Sequence, residues 1–422
     1  MIDIKIDRCS LRHHMQSMHS IYGMPNCSES FWSGPLDNVG LGEITGYIRN
    51  FGQLKGITNN PLINDSQLLR ICKCLRSCRT LDWLLCFTGK RYRDHSTHMW
   101  DVATLGWDLL HVYFKYGVNL HTHELMWWFA AKSMRNIEAR FSNHFQTAKP
   151  PIAMAWWLAA LLHDHAYPLA HFMQSTNKLI KLLSNNQEVL EQSLPSVRAL
   201  LECFSGLFYD NIKSLLNHQP LQEFESHIRE FLCEMLVSRW RVIAEEDIPT
   251  DERLYDHGLW AAANLAGLLG SINVNETMQM YLKPVLKAII LHSSDKEIDI
   301  QKDPLAWLLT LCDEVQEWNR FTIFDTGAIP EMEYIEMEGI TKNQDMRFFE
   351  EELKFTFFPP KQETLTGWEI NKFIASKLKN FKRLRVPKNF HPKYIIFEVK
   401  DRIGYKIDMC CGNCTLLYKS IP

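Results

Sequence analysis

The stretch Met154-Ala-Trp-Trp-Leu-Ala-Ala-Leu-Leu-His163-Asp164 decides how this chain reads. An almost wholly apolar run, helical in pattern, ends in an imidazole beside a carboxylate. A carboxylate buried without a partner costs several kcal/mol, so packing does not explain the pair. Two ligands to one divalent cation would explain it, because imidazole and carboxylate together suit first-row divalent ions and Mg²⁺.

Two more candidate ligands sit in similar surroundings. His98 lies in Thr97-His98-Met-Trp-Asp-Val-Ala-Thr-Leu-Gly106. Asp313 follows a mostly apolar run in Ala306-Trp-Leu-Leu-Thr-Leu-Cys-Asp313-Glu-Val-Gln-Glu-Trp-Asn-Arg320. Taken singly, each has an ordinary explanation: a core histidine bonded to a carbonyl, or an aspartate in a salt bridge. Taken together, His98, His163, Asp164 and Asp313 form a ligand set carried on helices.

The rest of the sequence bounds the reading. With 422 residues and 46% hydrophobic content, the chain can bury one large domain or a large and a small one. A net charge of −3 exerts no global pull toward nucleic acid or an anionic membrane. The charged start Met1-Ile-Asp-Ile-Lys-Ile-Asp-Arg8 has no apolar signal core, and the apolar run Pro151 to Leu162 is too short to span a bilayer. The expectation is a cytoplasmic protein, not membrane-bound, whose 12 cysteines are reduced thiols.

Residues 1–60 read as an irregular arm, 61–324 as a helical metal-binding domain and 325–422 as a small α+β module. Helical spacing is expected over Met99 to Tyr116, Leu125 to Phe141, Ile152 to Leu162, Leu221 to Val242, Leu259 to Leu269 and Met280 to Leu291. Asp303-Pro304 opens a further helix, running to about Asn319, with an N-cap residue and a first-turn proline. Ile323 to Ile340, Leu353 to Phe358 and Tyr394 to Val399 read as strands, and Trp368 to Phe381 as an amphipathic helix.

The order and context of the four candidate ligands resemble the HD-domain superfamily of metal-dependent phosphohydrolases. The His98 segment is similar to the first-histidine helix of its deoxynucleoside triphosphate triphosphohydrolases. Ala160-Leu-Leu-His163-Asp164-His-Ala-Tyr-Pro168 looks like the His-Asp helix, and Leu311-Cys-Asp313-Glu-Val-Gln-Glu-Trp318 like the final-Asp helix. The resemblance covers about residues 80–320. It implies a mainly α fold, an HD-type helical core with the small C-terminal α+β module. There are departures. His165-Ala166 replaces a common Ile-Gly, and the long intervals from His98 to His163 and from Asp164 to Asp313 imply inserted helices.

The chemistry implied is metal-dependent hydrolysis of a phosphorylated nucleotide. The substrate expected is a (deoxy)nucleoside triphosphate, and the cofactor one of Mn²⁺, Mg²⁺, Fe²⁺, Co²⁺, Ni²⁺ or Zn²⁺. Asp164 would ligate the ion and orient the attacking water. His257, at a helix start, and His292, at a helix end, are the candidates for the general acid or for phosphate contact. Either position is equally explained by packing, and His292 also by the helix dipole. If one of them reached a second ion, the site would be binuclear, as in the phosphodiesterase branches. Arg93, His95, His165 and Arg320 are the candidate substrate contacts. Solvated-turn or helix-end roles are the plain alternatives for Arg93, His95 and Arg320.

Weaker signals remain. Cys72, Cys74, Cys78, Cys410, Cys411 and Cys414 could share a structural zinc, with free thiols as the default. Lys372, Lys377, Lys379, Lys382, Arg383, Arg385, Lys388 and Lys393 form a basic run that could bind a regulatory nucleotide or nucleic acid, or be a solvated face. Nucleic acid is not favoured by the net charge, and self-association stays open. The competing functions are a cyclic-nucleotide or guanosine-polyphosphate phosphodiesterase, a non-catalytic nucleotide sensor and, less favoured, a nuclease.

Overall fold

Pro168 and the polar triplet His163-Asp164-His165 break what would otherwise be one long helix. In the computed structural model, helix α1 (Lys149–Leu162) stops at that triplet and α2 (Tyr167–Leu183) starts after it. The elbow between them is closed by Tyr167 N donating to Asp164 O at 2.9 Å. The structure describes residues 5–6, 149–183, 224–270, 276–316, 344–348, 352–357, 367–388, 393–399 and 403–419, together with scattered helical and turn positions between 63 and 106. The expected helix Leu125 to Phe141 and strand Ile323 to Ile340 lie outside the described residues, as does most of the stretch from Met99 to Tyr116.

The remaining core helices are α3 (Phe224–Leu232), α4 (His257–Leu269), α5 (Glu276–Ser293) and α6 (Pro304–Val315). Residues Trp156 to Leu162 of α1 and Gly258 to Leu269 of α4 are all buried. Both are central helices, buried around their whole circumference over these residues. Helix α5 packs against α1, α4 and α6. The expected helix Leu221 to Val242 has two parts: α3 passes into a π-helix, Cys233–Arg239, where Trp240 N donates to Met235 O. The wider turn fits Trp240 into the core, where its indole N–H reaches Ala266 O at 3.1 Å.

Trp156 fixes the helical residues around His98. Its indole N–H donates to Ala103 O at 2.8 Å, and a Cβ on Gly106 would lie 1.9 Å from its ring. Only glycine lets the two helical segments approach this closely.

The C-terminal part is a six-stranded sheet with one helix. Its strands are β1 (Lys5–Ile6), β3 (Gln344–Phe348), β4 (Glu352–Phe357), β6 (Tyr394–Val399), β7 (Ile403–Asp408) and β8 (Cys414–Lys419), in the order β1-β3-β4-β6-β7-β8. Strands β4 and β6 are parallel and α7 (Gly367–Phe381) lies between them in sequence; the other pairings are antiparallel. Phe381 anchors α7 to the sheet, its ring stacked on Phe355 and tilted against Phe397. Lys5 and Ile6 belong to this sheet, although the N-terminal region reads as an irregular arm. A short parallel pairing of β2 (Ile298–Asp299) with β5 (Leu384–Arg385) ties the sheet-and-helix part to the helical core. The described chain is thus mostly helical with a small C-terminal sheet region. No helix among the described residues is long and apolar enough to cross a membrane.

Candidate metal centre

Five chain segments bring side chains to one point: the helical turn at His98, the C-terminal end of α1, the first residue of α4, and the last turns of α5 and α6. Donor atoms of His98, His163, Asp164 and Asp313 all lie within 4.8 Å of one another. His98 Nε2 is 2.7 Å from Asp313 Oδ1 and 3.8 Å from Asp164 Oδ2. His163 Nε2 is 3.5 Å from Asp164 Oδ2 and 3.6 Å from Asp313 Oδ1. A cation with bonds of about 2.0–2.2 Å sets neighbouring donors about 3–3.6 Å apart, so the cluster has the dimensions of a coordination sphere.

Ring orientation shows that these residues fit a cation. His163 Nδ1 donates to Ala160 O at 2.8 Å, which leaves the Nε2 lone pair facing the two carboxylates. That buried Nε2 has no hydrogen-bond partner among the described residues. His98 is held the same way, its Nδ1 donating to Gln316 Oε1 at 2.5 Å. An Nε2 lone pair pointed at a carboxylate repels it unless a second proton or a shared cation lies between them. These four residues could hold a metal ion.

A second group shares Asp164. Its Oδ1 lies 3.2 Å from His257 Nε2 and 3.5 Å from His292 Nε2, and the two imidazole nitrogens are 3.1 Å apart. These three residues also have the spacing of a ligand set. Asp256 holds the pair together. Its Oδ1 caps α4 by accepting from Gly258 N at 2.9 Å and Leu259 N at 3.3 Å, and it also accepts from the Ser293 hydroxyl. A Cβ on Gly258 would lie 2.2 Å from Ser293 Oγ and 2.5 Å from Ile289 O, so glycine is what allows α4 to start against the end of α5.

Charge follows the geometry. Burial alone would raise the Asp164 carboxyl, but His163, His257 and His292 together outweigh it and hold the group well below the usual carboxylate range. Asp313 is lowered in the same way by His163 and His98 against burial. Burial disfavours charge on His257, yet the hydrogen bond and charge of Asp164 prevail and raise its pKa to about 9. Burial, with His163 and His257 nearby, keeps His292 below its ordinary value despite Asp164. The pair is therefore asymmetric at neutral pH: a protonated His257 beside a neutral His292.

The cluster opens on one side. His98, His163 and His292 are buried, whereas the side chains of His257 and Asp313 are 26% and 20% exposed. Tyr167 lies against His257, ring centroids 5.4 Å apart, and is half-buried.

His165 belongs to neither group. Its ring is fully buried, with Nδ1 donating to Leu162 O at 2.5 Å and Nε2 accepting from Asn264 Nδ2 at 2.9 Å. Burial lowers its pKa to about 4, so it is neutral with both nitrogens engaged. Arg93, His95 and Arg320 lie outside the described residues. Cys74 and Cys78 are buried, and Cys410, Cys411 and Cys414 are free thiols; none belongs to a cation-sized group among the described residues.

Sequence reasoning misses the supports. Gln316 carries a signal, since it follows Asp313 by one helical turn on the same face. Asn264 and Ser293 carry none, because what matters is a partner distant in sequence.

Compared with known proteins, the chain matches no family model, no curated protein and no solved structure.

Proposed function

We propose that this chain is a metal-dependent phosphohydrolase acting on nucleotides, a distant member of the HD-domain superfamily, with (deoxy)nucleoside triphosphates as its substrates. The observation that carries the reading is the position of Asp164. One oxygen faces His98 and His163 while the other faces a histidine pair. His98, His163, Asp164 and Asp313 would hold a divalent ion, one of Mn²⁺, Fe²⁺, Co²⁺, Ni²⁺, Zn²⁺ or Mg²⁺ by the mixed imidazole–carboxylate donor set. When bound, such an ion supplies Lewis acidity toward a phosphoryl oxygen and an acidified water.

The chain's own residues do the rest. Asp164 would ligate the ion through Oδ2 and orient a water through Oδ1, the oxygen that faces His257 and His292. His257 carries a proton at Nε2 in neutral solution and lies at the exposed side of the cluster, so it protonates the leaving oxygen. His292 stays neutral and holds His257 in place at 3.1 Å. His165 and Asn264 brace the elbow that carries His163 and Asp164.

A second reading has its own support. Asp164, His257 and His292 form a second cation-sized group, which favours a two-ion phosphodiesterase. Purified protein supplied with Mn²⁺ or Mg²⁺ and a nucleotide panel separates the two. Tripolyphosphate released from a deoxynucleoside triphosphate, with one ion per chain, supports the first. A linear monophosphate from a cyclic nucleotide, with two ions per chain, replaces it with the second. No turnover in the presence of bound ion and nucleotide would leave a sensor and overturn both.

A further inference from the structure

The basic run of residues 371–397 meets the core on the helices that carry the site. Lys377 Nζ lies 3.2 Å from Glu314 Oε2, both side chains buried, and Asn380 Nδ2 donates to Glu314 Oε1 at 2.5 Å. Glu314 is the residue after Asp313. Arg383 is buried too. Its guanidinium donates to Leu291 O at 2.6 Å, to His292 O at 3.3 Å, to Lys296 O at 3.1 Å and to Asn380 Oδ1 at 3.2 Å. The carbonyls at a helix C-terminus have no donors within the helix, and Arg383 supplies them at the end of α5. Farther along the seam, Lys379 pairs with Asp295 at 2.7 Å, and Arg385 with Glu297.

These bonds make one chain. Arg383 holds the backbone of His292 and Asn380 together, and Asn380 passes the connection to Glu314 beside Asp313. Helices α5 and α6 each deliver one side chain to the cluster, and this bridge fixes their ends relative to each other. A planar guanidinium suits the task because it forks to several oxygens at once, which an ammonium cannot do.

We propose that Lys377, Asn380 and Arg383 are positioning residues for the cation site, so that the C-terminal module sets the placement of Asp313 and His292. The proposal rests on His98, His163, Asp164 and Asp313 being cation ligands. It also gives these members of the basic run a use other than binding nucleic acid or nucleotide.

The test uses the full-length chain and Co²⁺ alone, read by calorimetric affinity and by the d–d absorption band, with thermal melting alongside. Arg383→Lys keeps the charge and loses the fork. Lys377→Met removes the ammonium paired with Glu314, so the Glu314→Gln/Lys377→Met double variant, which strands no charge, is measured beside it. The expected result is about 10- to 100-fold weaker Co²⁺ binding and an altered band in all folded variants, the size seen when groups supporting a metal ligand are removed. A purely structural role would lower the melting temperature and leave affinity and band as in the wild type; folded variants within about twofold of wild type would overturn the proposal. A wild-type chain that takes up no Co²⁺ would instead overturn the site reading beneath it.

Discussion

The two sides of Asp164 are built from different materials. On the Oδ2 side stand two buried imidazoles and a second carboxylate, and one imidazole nitrogen there lacks any hydrogen-bond partner among the described residues. On the Oδ1 side stand two imidazoles close enough to share a proton, one of them partly exposed. Carboxylate-rich, with both imidazoles buried, the first side is suited to holding a cation. The second pairs Asp164 with two imidazoles and opens at His257, so it is suited to moving a proton. One aspartate borders both because each oxygen meets a different set of helix ends.

Removing the shared residue should erase the contrast. Asp164→Ala is expected to lose bound ion and to lower phosphohydrolase turnover by about 10³-fold or more, measured by metal analysis and phosphate release. An active Asp164→Ala protein with its ion in place would mean that the chemistry is elsewhere.

Breaking one side only should split the two properties. His257→Ala is expected to keep the ion and lose about 10²–10⁴-fold in turnover, with a much smaller loss on a nitrophenyl ester whose leaving group needs no proton. The pH profile gives the sign. The pKa of His257 is raised to about 9, so the proton-donating form persists through neutrality and is lost as pH climbs through that value. Wild-type activity should fall on that alkaline limb, and His257→Ala should lack the limb. Equal losses on both substrates would remove His257 from the acid role.

A support on the cation side should act on affinity. Gln316→Ala removes the partner of His98 Nδ1, and about 10- to 100-fold weaker Mn²⁺ binding is expected by calorimetry, with secondary structure unchanged by circular dichroism. The smallest effect should come from a contact that serves packing. Trp156→Phe loses the bond to Ala103 O, and about 1 kcal/mol of unfolding free energy should go with it in urea melts, while metal affinity holds.

Much of this site was legible in the sequence because its residues sit where composition changes abruptly. His163 and Asp164 end an apolar helix, Asp313 interrupts another, and His257 and His292 mark a helix start and end. Helix α7 and strand β6 were legible for the same reason, since their patterns are strong and local. The π-helical continuation of α3 was not, because its wider turn is set by where Trp240 packs. His165 read as a substrate contact, but whether an imidazole faces a pocket or a neighbouring helix depends on Asn264, far along the chain. The basic run read as a ligand surface or a solvated face. Its counter-charges Glu314, Asp295 and Glu297 lie on the preceding helices and turns, and only the fold brings them together.

Metal content, measured on wild type and on His163→Ala, tests the central claim most directly. Among the described residues His163 Nε2 is the cluster's buried nitrogen without a hydrogen-bond partner, and its ring stands edge-on to His292, centroids 5.0 Å apart. The wild-type protein, refolded or dialysed with Mn²⁺ and then desalted, should carry bound ion by elemental analysis, and His163→Ala should carry almost none while melting as a folded protein. Equal ion content in the two proteins, or none in either, would contradict a cation held by His98, His163, Asp164 and Asp313.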